Sequence, residues 1–329
     1  MAEASPLNIV FMGTPEFAAV ILRQLVGWDG CRVIGAYCQP DRPCGRGQQC
    51  RPPAVKMVAL EHSIPVFQPL NFKTAEAVDE LRALKPDVLV VAAYGLILPQ
   101  VVLDVAPHGA INVHGSLLPK HRGAAPIQRA IMDGDKFTGI TIMQMELALD
   151  SGPMLLQRAL GIGVDDTAGT MHDQLAELGG RLLIDALARV AAGTIVPIPQ
   201  EHDRATYAAK LTKDDGRIDF SRTAEEVHAH VRGVTPWPGA HFQLALEGRE
   251  PMQVSIEPGT IGPLLEAPTP PGTLVGLAGD CLSFACADRY YLVRSIRPAN
   301  RKALDARGFA CGYMRTDCEC PGVVLTECS

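Results

Sequence analysis

The sequence lacks several features that would place it in other classes of protein. It has no run of about 18 uncharged apolar residues, the pattern typical of a transmembrane helix. Residues 1–6 lack the basic and apolar regions of a signal peptide, so we expect a cytoplasmic protein. The ten cysteines match neither a small disulfide scaffold nor the paired C-x2-C pattern of a common zinc site. We therefore expect reduced thiols, with a metal site in the C-terminal tail as the alternative.

Excess positive charge is also missing. The chain has 30 Lys and Arg against 36 Asp and Glu, a formal net charge of −6, which argues against indiscriminate nucleic-acid binding. Any contact with RNA must therefore use local basic patches. The candidates are Arg42, Arg46, Arg51 and Lys56 in an early Gly/Pro-rich loop, and Arg289, Arg294, Arg297, Arg301, Lys302 and Arg307 near the C-terminus. Either patch alone could equally be a solvated surface.

Length and pattern indicate two domains, because 329 residues exceed the usual size of a single core. Apolar segments at 7–12, 31–38, 64–67 and 87–93 alternate with helical patterns at 55–61 and 74–84. Apolar strands between helices are typical of a parallel sheet covered on both faces. Ligands of such sheets bind beyond the carboxyl ends of the strands, where Gly13, Tyr94 and Asn112 fall.

The second half of the sequence changes character. Strand-like segments at 139–145 and 153–162 precede a long amphipathic helix over 168–191, with Met171, Leu175, Leu178 and Leu182 on its inward face. A linker is predicted over 193–210. Beyond it, short β-like segments at 240–246, 281–285 and 290–296 alternate with Pro/Gly turns, which indicates a separate β domain.

Three polar residues form the candidate catalytic set. Asn112 and His114 are two residues apart at the end of an apolar strand, so both side chains lie on one face. Asp150 follows in a loop between two strands. An amide and an imidazolium can stabilise an oxyanion while a carboxylate orients the imidazole and receives protons, which suits direct acyl transfer without a covalent intermediate. Alone, each residue could instead serve a turn, the core or a loop cap.

Extended motifs around these residues resemble the methionyl-tRNA formyltransferase family from about residue 7 to about residue 305. The segments that carry the resemblance are FMGTPEFA at 11–18, QPDRP at 39–43, AYGLILP at 93–99, NVHGSLLP at 112–119, RGAAPIQ at 122–128 and TIMQM at 141–145. The resemblance implies an α/β fold with a Rossmann-like formyltransferase domain over 1–192 and a linker over 193–210. An OB-like β-barrel domain that binds tRNA would follow over 211–310, and a Cys-containing tail over 311–329.

The resemblance also implies substrates and roles. The formyl donor would be 10-formyltetrahydrofolate, the acceptor initiator Met-tRNA, and the protein a monomer that needs no metal. Catalysis would fall to Asn112, His114 and Asp150, and the acceptor amine would border Gly13, Thr14 and Pro15. Folate would contact Tyr94, Gly95, Leu96, Ile97, Leu98, Ser116, Leu117, Leu118 and Pro119. The tRNA would contact Arg42, Arg46, Arg51, Arg294, Arg297, Arg301 and Lys302.

Other functions remain open at this point. A formyl-folate domain also serves formyltransferases for nucleotide-sugar or purine-precursor amines. A nucleotide-binding dehydrogenase would need G-x-G-x-x-G after the first strand, which Gly13-Thr14-Pro15 does not provide. An RNA-binding module without activity would have no use for the three polar residues together. A metal site at His108, His114 and His121 has intervals that do not share one helical face.

Overall fold

The computed structural model describes residues 6–44, 49–314 and 322–325, and the predicted tRNA contact Arg46 lies outside them. The elements up to the long central helix are β1 (Leu7–Gly13), α1 (Glu16–Val26), β2 (Cys31–Tyr37), β3 (Arg42–Cys44), β4 (Gln49–Arg51), α2 (Ala54–Glu61), β5 (Val66–Phe67), α3 (Ala75–Ala83), β6 (Val88–Ala92), α4 (Gln100–Leu103), β7 (Ala110–His114), β8 (Arg122–Gly123), α5 (Pro126–Met132), β9 (Phe137–Gln144), β10 (Met154–Gly161) and α6 (Ala168–Ala191). The segment after α6 contains β11 (Tyr207–Ala208).

The main sheet of this half has, within the described residues, seven strands in the order β10-β9-β7-β6-β1-β2-β5. The neighbouring strands β5, β2, β1, β6 and β7 pair in parallel. Strand β9 pairs antiparallel with both β7 and β10. Every residue of β6 is buried, as expected for a strand covered on both faces. The predicted Rossmann-like α/β fold is confirmed.

The register of this sheet gathers the ends of three neighbouring strands. Gly13 at the end of β1 pairs with Ala92 at the end of β6, and Val91 pairs with Asn112 on β7. Gly13 is required there, because an added Cβ would lie 2.5 Å from the Ala18 Cβ atom and 2.8 Å from the Ala92 carbonyl oxygen. The loops that follow β1 and β6 therefore begin side by side.

The helices bury the faces that the sequence pattern indicates. Phe17, Ile21 and Leu25 of α1 are buried, and α6 has the predicted bounds. Met171 and Leu175 of α6 are fully buried. Leu182 is also buried and Leu178 is half-buried, as the predicted inward face requires.

The segment predicted as a linker is tied to the first half of the chain. Tyr207 and Ala208 of β11 pair in parallel with Arg122 and Gly123 of β8. The Arg122 amide donates to the Thr206 carbonyl at 2.8 Å. A freely solvated linker would leave these backbone groups to water, so this segment forms part of the α/β unit.

The later elements are α7 (Ala224–Gly233), β12 (Ala240–Leu246), β13 (Met252–Ile256), β14 (Thr260–Leu264), β15 (Thr273–Ala278), β16 (Cys281–Ala285), β17 (Arg289–Val293), β18 (Ser295–Pro298), β19 (Leu304–Asp305), α8 (Ala306–Tyr313) and β20 (Gly322–Leu325). Thr223 and Glu226 form a reciprocal capping box that starts α7. In the described part of the chain, the strands form a nine-stranded antiparallel sheet ordered β14-β17-β16-β15-β20-β12-β13-β18-β19. The predicted separate β domain is confirmed.

The core of the β domain contains three packed phenylalanines. Phe220, Phe242 and Phe284 lie with ring centroids 5.3–5.4 Å apart. Alternate residues of β12 are buried, as its pattern predicts.

β20 belongs to this sheet although it falls in the segment predicted as a tail. It pairs with β12 on one side and β15 on the other, and Val324 enters the core. Residues 322–325 are therefore an inner strand of the β domain.

The chain divides into two compact units, each with its own core. One comprises residues 1–126, 137–161 and 172–208, and the other comprises residues 127–136, 162–171 and 209–329. Among the helices of the described residues, none is long and apolar enough to cross a membrane.

Candidate active site

Strand β7 presents Asn112 and His114 on one face, since side chains alternate along a strand. Both residues are buried. The strand is held between β6 and β9, where His114 pairs with Thr141. An amide donor and an imidazole therefore occupy fixed positions on a rigid central strand.

The imidazole of His114 is oriented by a backbone carbonyl. Its Nε2 atom lies 3.0 Å from the His121 oxygen, which can only accept, so Nε2 carries a proton. The Nδ1 atom lies 3.7 Å from the Asp150 Oδ2 atom, beyond hydrogen-bond distance. A second proton on the ring would therefore sit at Nδ1 and face the Asp150 carboxylate.

Asp150 is held in an uncommon backbone conformation. Its φ is 48°, in the left-handed region that favours glycine. The Gly123 amide donates to its Oδ2 atom at 2.8 Å. Gly152 adds a constraint nearby, because a Cβ there would lie 2.0 Å from the Gln144 carbonyl oxygen. Such strained residues cluster at functional sites, and the loop between β9 and β10 thus delivers the carboxylate to His114.

Two further buried residues, Arg122 and Gln200, were not predicted as part of this site. The Arg122 guanidinium donates to the Gln200 Oε1 atom at 2.7 Å, and the Gln200 Nε2 atom donates to the carbonyls of Asp150 and Gly152. Arg122 belongs to one of the resembling motifs, which was its only signal. Gln200 had none, because no local pattern marks a contact that spans 50 residues.

The loops after β1 and β6 are joined by side-chain hydrogen bonds. Thr14 Oγ1 donates to the Tyr94 carbonyl at 2.9 Å, and the Gln39 amide group donates to the same carbonyl at 3.4 Å. The predicted acceptor-amine residues and folate residues are thus in contact at Thr14 and Tyr94. Pro15 stands at the N-cap of α1.

Within the predicted folate loop, only some side chains are available to a ligand. Tyr94 and Leu98 are buried in the core, whereas Gly95 is exposed and Ile97 is 92% exposed. Gly95 has a φ of 80°, which only glycine adopts readily. Among the described residues, the amides of Leu96 and Ile97 donate to no backbone carbonyl. The loop offers a ligand its backbone and one apolar side chain.

The predicted segment Ser116 to Pro119 is fixed by internal hydrogen bonds. Ser116 Oγ donates to the Lys120 carbonyl at 2.6 Å, and Thr141 Oγ1 donates to the Ser116 carbonyl at 2.7 Å. Ser116 and Leu118 are buried, and Leu117 and Pro119 are half-buried. These contacts make the segment a rigid wall at the exit of β7.

The early basic loop is based on the short hairpin of β3 and β4. Arg42 and Arg51 are direct cross-strand partners, and both are exposed. Like charges directly opposite each other are unfavourable in a sheet, so a bound anion would relieve this pair. At the base of the hairpin, hydrogen bonds from Lys56 and Gln68 hold the pKa of Asp41 below its ordinary value. Lys56 is therefore paired rather than part of the open basic surface.

The later basic run separates into paired and open residues. Arg289 lies 3.8 Å from Asp288, and Arg307 lies 2.8 Å from Asp280. Within the described residues, no such ion pair involves the four exposed cations between them. These cations are Arg294, Arg297, Arg301 and Lys302.

Cys31, Cys38, Cys281, Cys286 and Cys311 are free thiols, as expected for reduced cysteines. Burial raises the pKa of Cys38 to about 11 and that of Cys286 to about 12, so both are unreactive thiols near neutral pH. In the part of the chain that the structure describes, no group of His, Cys, Asp and Glu side chains could hold a metal ion. The alternative of a metal site in the tail concerns Cys311, Cys318, Cys320 and Cys328. Cys311 is an exposed free thiol, and the other three lie outside the described residues.

Comparisons with known proteins agree along the whole chain. A family model described as formyl transferase matches residues 7–187, and the formyl transferase C-terminal domain matches residues 210–314. A methionyl-tRNA formyltransferase of Nitratidesulfovibrio vulgaris is 66% identical over 99% of both chains, and one of Pseudomonas fluorescens is 48% identical over 91% of this chain and 92% of its own.

Solved structures share the fold at low identity. An N-formyltransferase from Helicobacter canadensis, in complex with folinic acid and dTDP-3-aminofucose, has a TM-score of 0.64 at 16% identity and covers 87% of this chain and 98% of its own. HypX from Aquifex aeolicus has a TM-score of 0.60 at 17% identity, over 93% of this chain and 49% of its own. On the two family models and the near full-length relatives, the chain belongs to the methionyl-tRNA formyltransferase family.

Proposed function

We propose that this protein transfers the formyl group of 10-formyltetrahydrofolate to the α-amine of methionine on initiator tRNA, for translation initiation. The observation that carries the proposal is the pairing of His114 with Asp150 beside Asn112, in a chain 66% identical over nearly its full length to a methionyl-tRNA formyltransferase. The reaction needs one tetrahedral intermediate and no covalent enzyme intermediate.

The first step is attack of the uncharged methionyl amine on the formyl carbon. The carbonyl oxygen then carries a negative charge that must be stabilised. Asn112 supplies an N–H donor, and the protonated ring of His114 supplies a second donor from Nδ1, because Nε2 is committed to the His121 carbonyl. Donors fixed in advance stabilise such an oxyanion without reorganisation.

The second step breaks the bond between the formyl carbon and the folate nitrogen. The attacking amine loses a proton and the leaving nitrogen gains one, so the transfer is balanced within the site. Asp150 is the nearby base, with its Oδ2 atom 3.7 Å from the Nδ1 atom of His114. At this distance the carboxylate is not hydrogen-bonded to the ring, so it remains available to a proton from the amine or from a bridging water.

The formyl donor fits the loop after β6. A pterin ring has an apolar face and a polar edge, and this loop offers the backbone amides of Leu96 and Ile97 beside the exposed Ile97 side chain. We propose that the backbone of Tyr94 to Leu98 holds the ring edge. The rigid segment from Ser116 to Pro119 would bound the same space at the end of β7.

The basic hairpin of β3 and β4 supports tRNA as the acceptor. Arg42 and Arg51 face each other without a carboxylate between them, although Asp41 is adjacent and is taken by Lys56. Arginine forks match phosphate geometry, so this pair is suited to the backbone of an acceptor stem. Arg46, which lies outside the described residues, stays in the proposed contact as a prediction from the sequence.

The β domain supplies a second local patch. Arg294, Arg297, Arg301 and Lys302 occupy one short stretch around β18 and lack carboxylate partners within the described residues. Local cations of this kind allow a protein of net charge −6 to bind RNA. We propose that this stretch contacts the tRNA body.

Transfer to a nucleotide-sugar or purine-precursor amine is the alternative. The structural neighbour complexed with dTDP-3-aminofucose shares the fold at only 16% identity, whereas the near full-length relatives are methionyl-tRNA formyltransferases. A small sugar nucleotide also gives no reason for two separate arginine-rich patches. We therefore favour tRNA, and we expect the protein to act as a monomer in the cytoplasm.

The direct test is formylation of charged initiator tRNA by the purified full-length protein. We expect formyl-Met-tRNA to accumulate with 10-formyltetrahydrofolate and not with tetrahydrofolate. The product is identified by mass after release of the amino acid from the tRNA. A folded protein that binds the folate but forms no formyl-methionine would contradict the proposal.

A further inference from the structure

We infer that Gln200 is a positioning residue, which together with Arg122 holds the Asp150 carboxylate at the distance from His114 that transfer requires. This inference rests on the proposed function, since it assigns a task within the same reaction. It concerns a residue that lies 50 positions from Asp150 in sequence, in a segment that sequence pattern predicts to be a linker.

Gln200 is tied to the Asp150 loop at two points. Its Nε2 atom donates to the Asp150 carbonyl at 2.9 Å and to the Gly152 carbonyl at 2.7 Å. Only 5% of Gln200 is exposed, so these bonds are shielded from water. A buried donor that binds carbonyls on both sides of Ser151 fixes the path of the loop at the residue that carries the carboxylate.

The orientation of the Gln200 amide is determined by its neighbours. The Nε and Nη2 atoms of Arg122, which can only donate, lie 3.2 Å and 2.7 Å from the Oε1 atom of Gln200. The two backbone carbonyls can only accept, so they require the Gln200 NH2 group. The guanidinium and the carbonyls therefore allow one placement of the amide, and only 4% of Arg122 is exposed.

The loop needs such support because its conformation is unfavourable in isolation. Asp150 has a φ of 48°, and Gly152 has no space for a Cβ. A loop of this kind persists only when surrounding contacts over-determine it. Gln200 supplies two of those contacts, and the Gly123 amide supplies a third at the carboxylate itself.

Three consecutive residues connect these contacts to the imidazole. The carbonyl of His121 fixes the His114 ring, the side chain of Arg122 fixes Gln200, and the amide of Gly123 fixes the Asp150 carboxylate. Residues 121–123 thus hold both members of the proposed acid–base pair in place. Gln200 links the same segment to the Asp150 backbone carbonyl.

The hydrogen bonds of Gln200 go to Arg122 and to the carbonyls of Asp150 and Gly152, not to the imidazole or the carboxylate, so we infer that it acts through the Asp150 loop. Replacing it with methionine keeps its length and removes both donors. We expect Gln200→Met to lower kcat by about 10- to 100-fold, because small misplacements of a reacting group have effects of this order. The KM values for folate and tRNA should change little, since neither substrate is proposed to bind Gln200.

Epistasis separates positioning from general damage. In an Asp150→Asn background, Gln200→Met should cause little further loss of kcat, because the carboxylate it positions is already gone. Arg122→Met should behave like Gln200→Met, and Arg122→Lys should recover part of the loss by restoring one donor to Gln200. An independent structural defect would instead multiply with Asp150→Asn and would not respond to the lysine.

Asp87 provides a control for the loss of a long-range tie in the same unit. Its carboxylate accepts from the backbone N–H of Asn8 at 2.7 Å. Asp87 directly precedes β6, so it lies at the end of the sheet away from the Tyr94 loop. Asp87→Ala should lower stability without lowering kcat. Thermal unfolding of each variant is measured beside the kinetics.

The outcomes distinguish the two proposals. No formyl-Met-tRNA from the wild type would overturn the proposed function. If the wild type is active and Asp150→Asn is impaired, a folded Gln200→Met with wild-type kcat, or with losses that multiply with Asp150→Asn, would overturn the role of Gln200. If Gln200→Met does not fold, kcat is measured instead for Arg122→Lys, alone and combined with Asp150→Asn. A wild-type kcat for Arg122→Lys, or a loss that multiplies with that of Asp150→Asn, would overturn the inference.

Discussion

The Nδ1 atom of His114 lies 3.7 Å from the Oδ2 atom of Asp150, while its Nε2 atom donates to the carbonyl of His121. One ring nitrogen is thus hydrogen-bonded to the backbone, and the other faces the carboxylate. The Asn112 amide lies on the same strand face, and in the proposed mechanism each of the three groups has a distinct task. Removing any one of them should impair the same step.

The catalytic prediction follows from this division of tasks. Asn112→Ala, His114→Ala and Asp150→Asn should each lower kcat by about 10²- to 10³-fold, as expected for loss of one oxyanion donor or its support. Their combined effect should be far smaller than the product of the single effects, because they act on one intermediate. Single-turnover formylation measures this, with circular dichroism to verify folding. Near-wild-type turnover by folded Asp150→Asn would remove that carboxylate from the mechanism.

The arginine hairpin should affect the tRNA and not the folate. We expect the Arg42→Gln/Arg51→Gln double variant to have a higher KM for tRNA. In a plot of log binding constant against log salt concentration, its slope should be shallower by about one unit per lost phosphate contact. The matched control is Arg82→Gln/Arg189→Gln, which removes the same charge from arginines paired with Asp79 and Asp185. Equal tRNA kinetics in both double variants would reduce the hairpin to a surface connector.

Neutralising the exposed cations around β18 of the β domain should also weaken tRNA binding. Arg294→Gln/Arg297→Gln should weaken tRNA binding across a salt titration, because both residues lack carboxylate partners among the described residues. Arg289→Gln/Arg307→Gln, whose arginines pair with Asp288 and Asp280, should have a smaller effect at equal change in net charge. The comparison is made with filter binding of charged tRNA to the intact chain. A larger loss in the control would argue against this patch as the contact.

The inner strand β20 predicts a difference between two adjacent valines. Val324 is 7% exposed and lies in the β-domain core, whereas Val323 is 43% exposed. Val324→Thr should lower the free energy of unfolding by about 1–3 kcal/mol, the cost of burying a hydroxyl without a partner. Val323→Thr should change it by less than about 0.5 kcal/mol. Chemical denaturation followed by fluorescence checks this, and equal effects would indicate that β20 is not an inner strand.

Local patterns predict elements with strong periodicity and miss elements defined by distant contacts. The bounds of α6 and β12 follow from their helical and alternating patterns, as does the shared face of Asn112 and His114. By contrast, β11 and β20 are short segments whose structure depends on partners far along the chain. Their sequences contain too few residues for a period to be recognised.

The same distinction applies to the candidate site. The chemistry and motifs of Asn112, His114 and Asp150 are visible in sequence, and the structure brings His114 and Asp150 together as that pattern predicts. Gln200 could not be predicted, because a glutamine in a Pro-rich segment has no pattern that points to a carbonyl 50 residues away. Nor does a sequence show that the His121 carbonyl, rather than Asp150, makes the hydrogen bond to the imidazole.

The central claim concerns which amine receives the formyl group, and a competition measures it directly. Full-length protein is incubated with 10-formyltetrahydrofolate, initiator Met-tRNA and a nucleotide-linked aminosugar together, and the initial rates of both formylated products are followed by mass spectrometry. The account predicts formyl-Met-tRNA as the dominant product, with a rate that falls as salt rises because the tRNA is held by arginine contacts. Faster formylation of the aminosugar, with no dependence on the tRNA, would contradict it.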